Sequence, residues 1–239
     1  MSYDLKSVTN NITLWRKTFW NSMKKFSKIW IFTIIIFVLT MVLFKDHENK
    51  QIKPYNEMLD EVLAVVENET ITLREFAVYV AHEEAEVHEQ ALAYDPKNTK
   101  KYWGLHTNGQ FIKVAARNAT VSMAVHDELF YQLAMEKNLT LTEQEEQMLA
   151  NDVMDFWADL TEDGKEQKLG ISKEDVEQAL QKIAIAEKAQ AVYAKLNNVK
   201  YEDYHFEGEE FSEFLSQYDY KVDEKIVDKL DFGDITLSH

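Results

Sequence analysis

Val62-Leu63-Ala64-Val65-Val66-Glu67-Asn68-Glu69-Thr70-Ile71-Thr72-Leu73-Arg74-Glu75-Phe76 passes from strand to turn to helix within one short stretch. Residues 61–66 place Val62, Leu63, Val65 and Val66 in a run suited to a short β-strand. Glu67-Asn68-Glu69 reads as a turn, with Asn68 the residue suited to a left-handed backbone. Thr70-Ile71 returns. Thr72 with Glu75 three residues on has the form of a capping box. The helix it opens carries Phe76, Val80 and Val87 and is expected to run to about Tyr94.

Beyond this stretch the pattern is helical. Only two prolines and six glycines occur in 239 residues, so little interrupts a helix. Asp95-Pro96-Lys97-Asn98-Thr99 stops the first one. Tyr102-Trp103-Gly104-Leu105 reads as irregular, ending at Asn108-Gly109. A long helix is expected from Gln110 to about Lys137, apolar around much of its circumference and therefore central. Asn138-Leu139 closes it. Thr142 with Glu145 and Ser172 with Asp175 are two further capping boxes, each opening a helix. Thr161-Glu162-Asp163-Gly164 and Asn197-Asn198 end those helices. An acidic, tyrosine-rich connection, a short helix around 209–218 and a strand-like tail follow. The expected fold class is mainly α with a small β element.

Upstream, sixteen uncharged residues run from Ile29 to Phe44 with opposite charge on their two sides. Residues 1–28 carry Lys6, Arg16, Lys17, Lys24, Lys25 and Lys28 against Asp4, a net of +5. The part after Phe44 holds 20 basic and 41 acidic residues, a net of −21. Positive charge beside a span marks the cytoplasmic side. The expected topology is a cytoplasmic tail (1–28), one transmembrane helix (29–44), a polar linker (45–60) and an acidic extracytoplasmic part. Within the latter, 61–199 is read as a helical domain and 200–239 as a C-terminal segment that returns to it. The anchor residues are Ile29, Trp30, Ile34, Ile35, Ile36, Phe37, Val38, Leu39, Leu43 and Phe44.

Sixteen residues reach roughly 24 Å, and Lys28 and Lys45 can snorkel outward to lengthen the span. Thr40-Met41-Val42-Leu43-Phe44-Lys45-Asp46 offers no small-x-small site at which a signal peptide would be cut. In the tail, Ile12, Trp15, Phe19, Met23 and Phe26 recur at helical spacing among basic residues. Two readings stay open for it: a basic amphipathic helix on an anionic membrane surface, or an irregular positive-inside tail. The chain has no cysteine, which suits an envelope that does without disulfides, as in many Gram-positive bacteria.

The motifs in their order resemble a known family. Val65 to Phe76 looks like the opening of the SurA-like N-terminal chaperone domain found in extracytoplasmic foldases of the SurA and PrsA type, with Asn68 where that family usually has glycine. Tyr102-Trp103-Gly104 and Gly109 look like its Gram-positive version. Ala134-Met135-Glu136-Lys137-Asn138-Leu139-Thr140-Leu141-Thr142 and Gly170-Ile171-Ser172-Lys173-Glu174-Asp175-Val176 are similar to its junctions between helices. Tyr220-Lys221-Val222-Asp223-Glu224-Lys225 looks like the strand that ends PrsA-like chains. The resemblance spans about residues 61–230. It implies a chaperone module that holds unfolded or exported polypeptides. Bifunctional members carry a parvulin-type prolyl isomerase domain after the last long helix. Asn197 to Glu209 is too short to hold one, so no isomerase activity, no catalytic residue and no cofactor is expected.

The remaining constellations are read against plain surface or core roles. Glu83, Glu84, Glu86 and Glu89 with His82 and His88 are expected to form a solvated acidic face rather than a metal site, because the two histidines do not share a helix face. His126-Asp127-Glu128 is likewise expected on a helix surface. The −21 charge argues against nucleic acid as a partner. Tyr102, Trp103, Phe111, Phe156 and Trp157 are the candidate client-binding aromatics, although any one of them more often fills a core. The alternative function is a dedicated scaffold or accessory of a secretion or envelope complex, with the same fold serving one partner.

Overall fold

The opening stretch folds as a hairpin that a third strand completes from far down the chain. The computed structural model describes residues 53–238; the basic tail, the expected span and the expected linker as far as residue 52 lie outside them. Strand β1 (Val62–Val66) pairs antiparallel with β2 (Glu69–Thr72) and, on its other side, with β5 (Tyr220–Val222). The tight turn joins Val66 to Glu69, and its left-handed residue is Glu67 (φ 52°), not Asn68. Upstream, Tyr55 and Met58 are buried, although their sequence reads as linker. The Tyr55 hydroxyl donates to the Leu73 carbonyl at 2.6 Å.

The fold is mainly helical. Helix α1 (Leu73–Tyr94) is capped by the Thr72 hydroxyl, which accepts from the Glu75 N–H. The reciprocal half of that box is missing, because the Glu75 carboxylate pairs instead with Lys182 at 2.7 Å. Residues expected to be irregular form α2 (Thr99–Trp103), capped by Asn98. A short hairpin follows, β3 (His106–Thr107) and β4 (Gln110–Phe111), turning at Asn108-Gly109, where both residues have positive φ. Helix α3 (Ile112–Glu136) starts just after it. Both complete capping boxes form: Thr142 with Glu145 opens α4 (Glu143–Glu162), and Ser172 with Asp175 opens α6 (Lys173–Asn197). Between them lies the short α5 (Lys165–Leu169). Asn198, left-handed at φ 55°, ends α6.

Helix α3 is central. It packs against α1, α6 and the sheet, while α4 packs against α6. From Ala124 to Phe130 every α3 residue is buried, which only a helix flanked on several sides allows. Phe130 is wholly buried amid Tyr193, Tyr204, Phe211 and Phe214, with ring centroids 5.8–6.0 Å away. Three of those partners come from beyond α6: a 3-10 turn (Tyr201–Tyr204) and α7 (Glu209–Leu215). After β5, the short α8 (Glu224–Val227) leads to an irregular segment, 228–238, that lies back on the body and buries Leu230 and Phe232. Among the described residues no helix is long and apolar enough to cross a membrane.

Candidate functional site

The exposed flank of α3 forms one wall of a groove. Between α3, α7 and β5 lies a cavity of about 640 Å3, with Val121, Val125, Phe211, Leu215, Val222 and Val227 on its walls. A second, of about 440 Å3, continues toward α1 and α2, lined by Val87, Tyr102, Ile112 and Ala119. Asn118 and Ser122 line both. A third, of about 320 Å3, opens between α1, α3 and α6 over Val78, Met123, Phe156, Leu180 and Ile183. One side chain, Phe206, lines all three.

The connection after α6 places Phe206 there. Lys200 and Asp203 brace the 3-10 turn, with the Asp203 carboxylate accepting from the Lys200 N–H at 2.9 Å. Tyr204 goes into the core, and its carbonyl lies 2.9 Å from His126 Nε2. Gly208 then lets the chain fold back tightly, since a Cβ there would sit 2.3 Å from the Asp203 carbonyl oxygen. Phe206 was not among the residues singled out from sequence. The available signal was the density of aromatics (Tyr201, Tyr204, Phe206) within an otherwise acidic connection.

The five predicted aromatics do not form one cradle. Tyr102 lines the second cavity, its hydroxyl 3.0 Å from Gln90 Oε1. Phe156 lines the third. Trp157 is half-buried against the core. Phe111 is 49 % exposed on the β3–β4 hairpin, edge-on to His106, and lines none of the three cavities, although its neighbours Gln110 and Ile112 line the second. Trp103 must be corrected outright. It is 3 % exposed and packs under Gly233, where an added Cβ would lie 2.6 Å from its ring. It offers a client no surface.

The acidic residues also divide differently from the sequence expectation. His126, Asp127 and Glu128 are buried, not on a surface. His126 Nδ1 lies 2.7 Å from Asp127 Oδ1, and the Tyr79 hydroxyl donates to Asp127 Oδ2 at 3.1 Å. Burial first, and the Asp127 carboxylate second, push the Tyr79 phenol well above the ordinary tyrosine range. This network forms the polar floor of the third cavity. Behind it, Lys182 bridges Glu75 and the buried Glu128. Burial alone would lower the Lys182 amine, but the two carboxylates outweigh it and the net direction is upward. Glu84, read as part of a solvated face, is fully buried and accepts from the backbone N–H groups of Gly233, Ile235 and Thr236. Glu83, Glu187, Glu207 and Glu224 remain on the groove walls. Among the described residues no group of three or more histidine or carboxylate side chains is placed to hold a metal.

These environments set a pH dependence. Glu75, Glu83, Glu84 and Glu187 are all raised, each by burial first. A carboxyl raised in the folded state binds its proton before the unfolded one does, so folding gains as pH falls toward the ordinary carboxylate range. Glu145 acts oppositely: hydrogen bonding by Lys188, then by the Thr142 N–H, lowers it to about 2. Its contribution is lost as pH falls from the ordinary range toward that value. The urea midpoint is therefore expected to rise from about pH 8 to about pH 5 and to fall again below about pH 4. A midpoint that declines steadily from pH 8 to pH 5 would contradict these assignments.

No family model matches the chain, and no curated protein and no solved structure matches it. The groove's own chemistry therefore carries the functional argument.

Proposed function

We propose that this protein is a membrane-anchored, extracytoplasmic chaperone-like protein that holds exported polypeptides in the groove along α3, without isomerase activity. The observation that carries this reading is the meeting of three cavities at Phe206, the first two mixing apolar with polar side chains and the third mostly apolar, edged by Glu83, Glu187, Glu207 and Glu224. A holding protein needs apolar surface for exposed core residues of a client, and charge around it to keep the empty protein soluble. The resemblance to the SurA-like N-terminal domain supports the same reading. So does the connection across 198–208, which is occupied by the 3-10 turn and the Gly208 fold-back and has no room for an inserted domain. The anchor and the orientation are part of the proposal and rest on the charge asymmetry about residues 29–44.

The test uses the full chain in detergent micelles. At several-fold excess it is expected to suppress aggregation of an unfolded protein without ATP. The effect should persist in moderate salt, because an apolar contact is not screened as a charged one is. Phe206→Ala, which opens the junction, should weaken suppression while leaving the unfolding midpoint near that of the parent. Protease added to intact protoplasts should digest residues after the span and spare the basic tail. If the intact protein leaves aggregation unchanged, the general holding function is wrong. Recovery of one stoichiometric envelope partner would then favour the dedicated scaffold.

A further inference from the structure

The sheet has an open side. In the order β2-β1-β5, β5 is an edge strand, and among the described residues no strand pairs with its outer side. Its register against β1 sets Lys221 opposite Val65. The Asp223 N–H reaches the Leu63 carbonyl at 2.8 Å, and the Glu67 N–H reaches the Asp219 carbonyl at 2.6 Å. Bonding residues alternate along an antiparallel ladder. Residues 219, 221 and 223 therefore turn their backbone groups toward β1. Tyr220 and Val222 turn theirs outward. Tyr220 is 49 % exposed, and all three β5 residues line the 640 Å3 cavity alongside Phe211 and Leu215.

We infer that β5 accepts an added strand. An extended segment of a bound polypeptide pairs with the outward N–H and C=O groups of Tyr220 and Val222. Its alternate side chains enter the adjoining cavity, and pairing of this kind reads backbone more than sequence. The occupant is a segment in which apolar residues alternate with basic ones. Glu224, Glu207 and Glu83 stand on the walls of the first two cavities against the single cation Lys221. This inference rests on the proposed holding function and specifies how that function makes its contact.

Val222→Pro tests it directly. The Val222 N–H faces outward, so proline there removes the donor without removing a bond to β1, and edge strands tolerate proline in that orientation. The probe is a fluorescent peptide amide, Lys-Val-Thr-Val-Lys-Val, measured by anisotropy against the full chain in micelles. Val222→Pro is expected to weaken binding roughly tenfold. N-methylation of alternate peptide amides should abolish binding in one register and spare it in the other, an arm that stands even if the proline variant misfolds. Tyr220 and Val222 amides should gain protection from hydrogen exchange when peptide is added. Three results would overturn strand addition: no binding of the parent peptide, equal binding of both methylated registers, or self-association through β5 in place of peptide binding. If aggregation suppression persists in any of these, the holding function survives without strand addition. If suppression is also absent, both fail.

Discussion

Glu84→Ala is expected to destabilise the protein by about 3 kcal/mol, read as a shift in the urea midpoint. The carboxylate is 0 % exposed and accepts four hydrogen bonds, from the Gly233, Ile235 and Thr236 N–H groups and the Thr236 hydroxyl, at 2.5–3.2 Å. Burial raises its pKa, and these bonds offset that only in part. Removing the side chain relieves the desolvation cost but leaves four donors without an acceptor, each costing about 1–3 kcal/mol if it stays buried. The cheaper response is for residues 231–238 to lift away and hydrate. That exposes Phe232 and the ring of Trp103 beneath Gly233. Cleavage within 228–238 by a nonspecific protease should therefore accelerate in Glu84→Ala. Glu84→Gln keeps one acceptor oxygen and should lose less, about 1–2 kcal/mol. An unchanged midpoint in Glu84→Ala would mean that the segment's docking adds nothing to stability.

Lys182→Met is expected to cost about 3–5 kcal/mol, because removing one partner of a buried ionic group strands the others. The amine lies between Glu75 and Glu128, and Glu128 is 2 % exposed. Gln132 extends the group, donating to Glu128 Oε1 at 2.6 Å and to the Val66 carbonyl at 3.0 Å, which ties α6 through α3 to the sheet. Methionine fills similar volume, so the loss reports charge rather than a void. Two readouts separate this from simple misfit. Glu128→Gln added to Lys182→Met should recover about half of the loss or more, as in a double-mutant cycle. The loss should also shrink on acidification, since stranded carboxylates take up protons. If the loss is independent of pH and of Glu128→Gln, the cluster is not electrostatically coupled.

What was legible in the sequence was local. The boxes at Thr142 and Ser172 form because each needs only residues three apart, both exposed and uncontested. The box at Thr72 forms by half, since Lys182, 107 residues from Glu75, competes for that carboxylate. Asn68 suits a left-handed backbone by propensity, yet the register Val66 to Glu69 hands that conformation to Glu67. His126-Asp127-Glu128 and Glu84 look like surface because nothing in their own helices marks them otherwise. Their burial comes from α1 and α6 flanking α3, and from the 233–236 loop closing over α1. The same distant loop takes Trp103 out of the candidate site. The groove was not legible for a related reason: its junction residue, Phe206, belongs to a connection whose position depends on His126 holding the Tyr204 carbonyl.

The third strand and the ligands of Glu84 have a bearing on the order of events during synthesis. Residues 62–84 leave the ribosome well before residues 220–236, which supply β5 and the loop that Glu84 holds. In that interval β1 lacks one neighbour, and Glu84 has no donors to replace its water. A hydrated carboxylate on the inward face of α1 opposes early collapse of the helices around it. The sheet and the Glu84 contacts therefore cannot be completed until residues 220–236 are made, and contacts of such sequence separation slow folding.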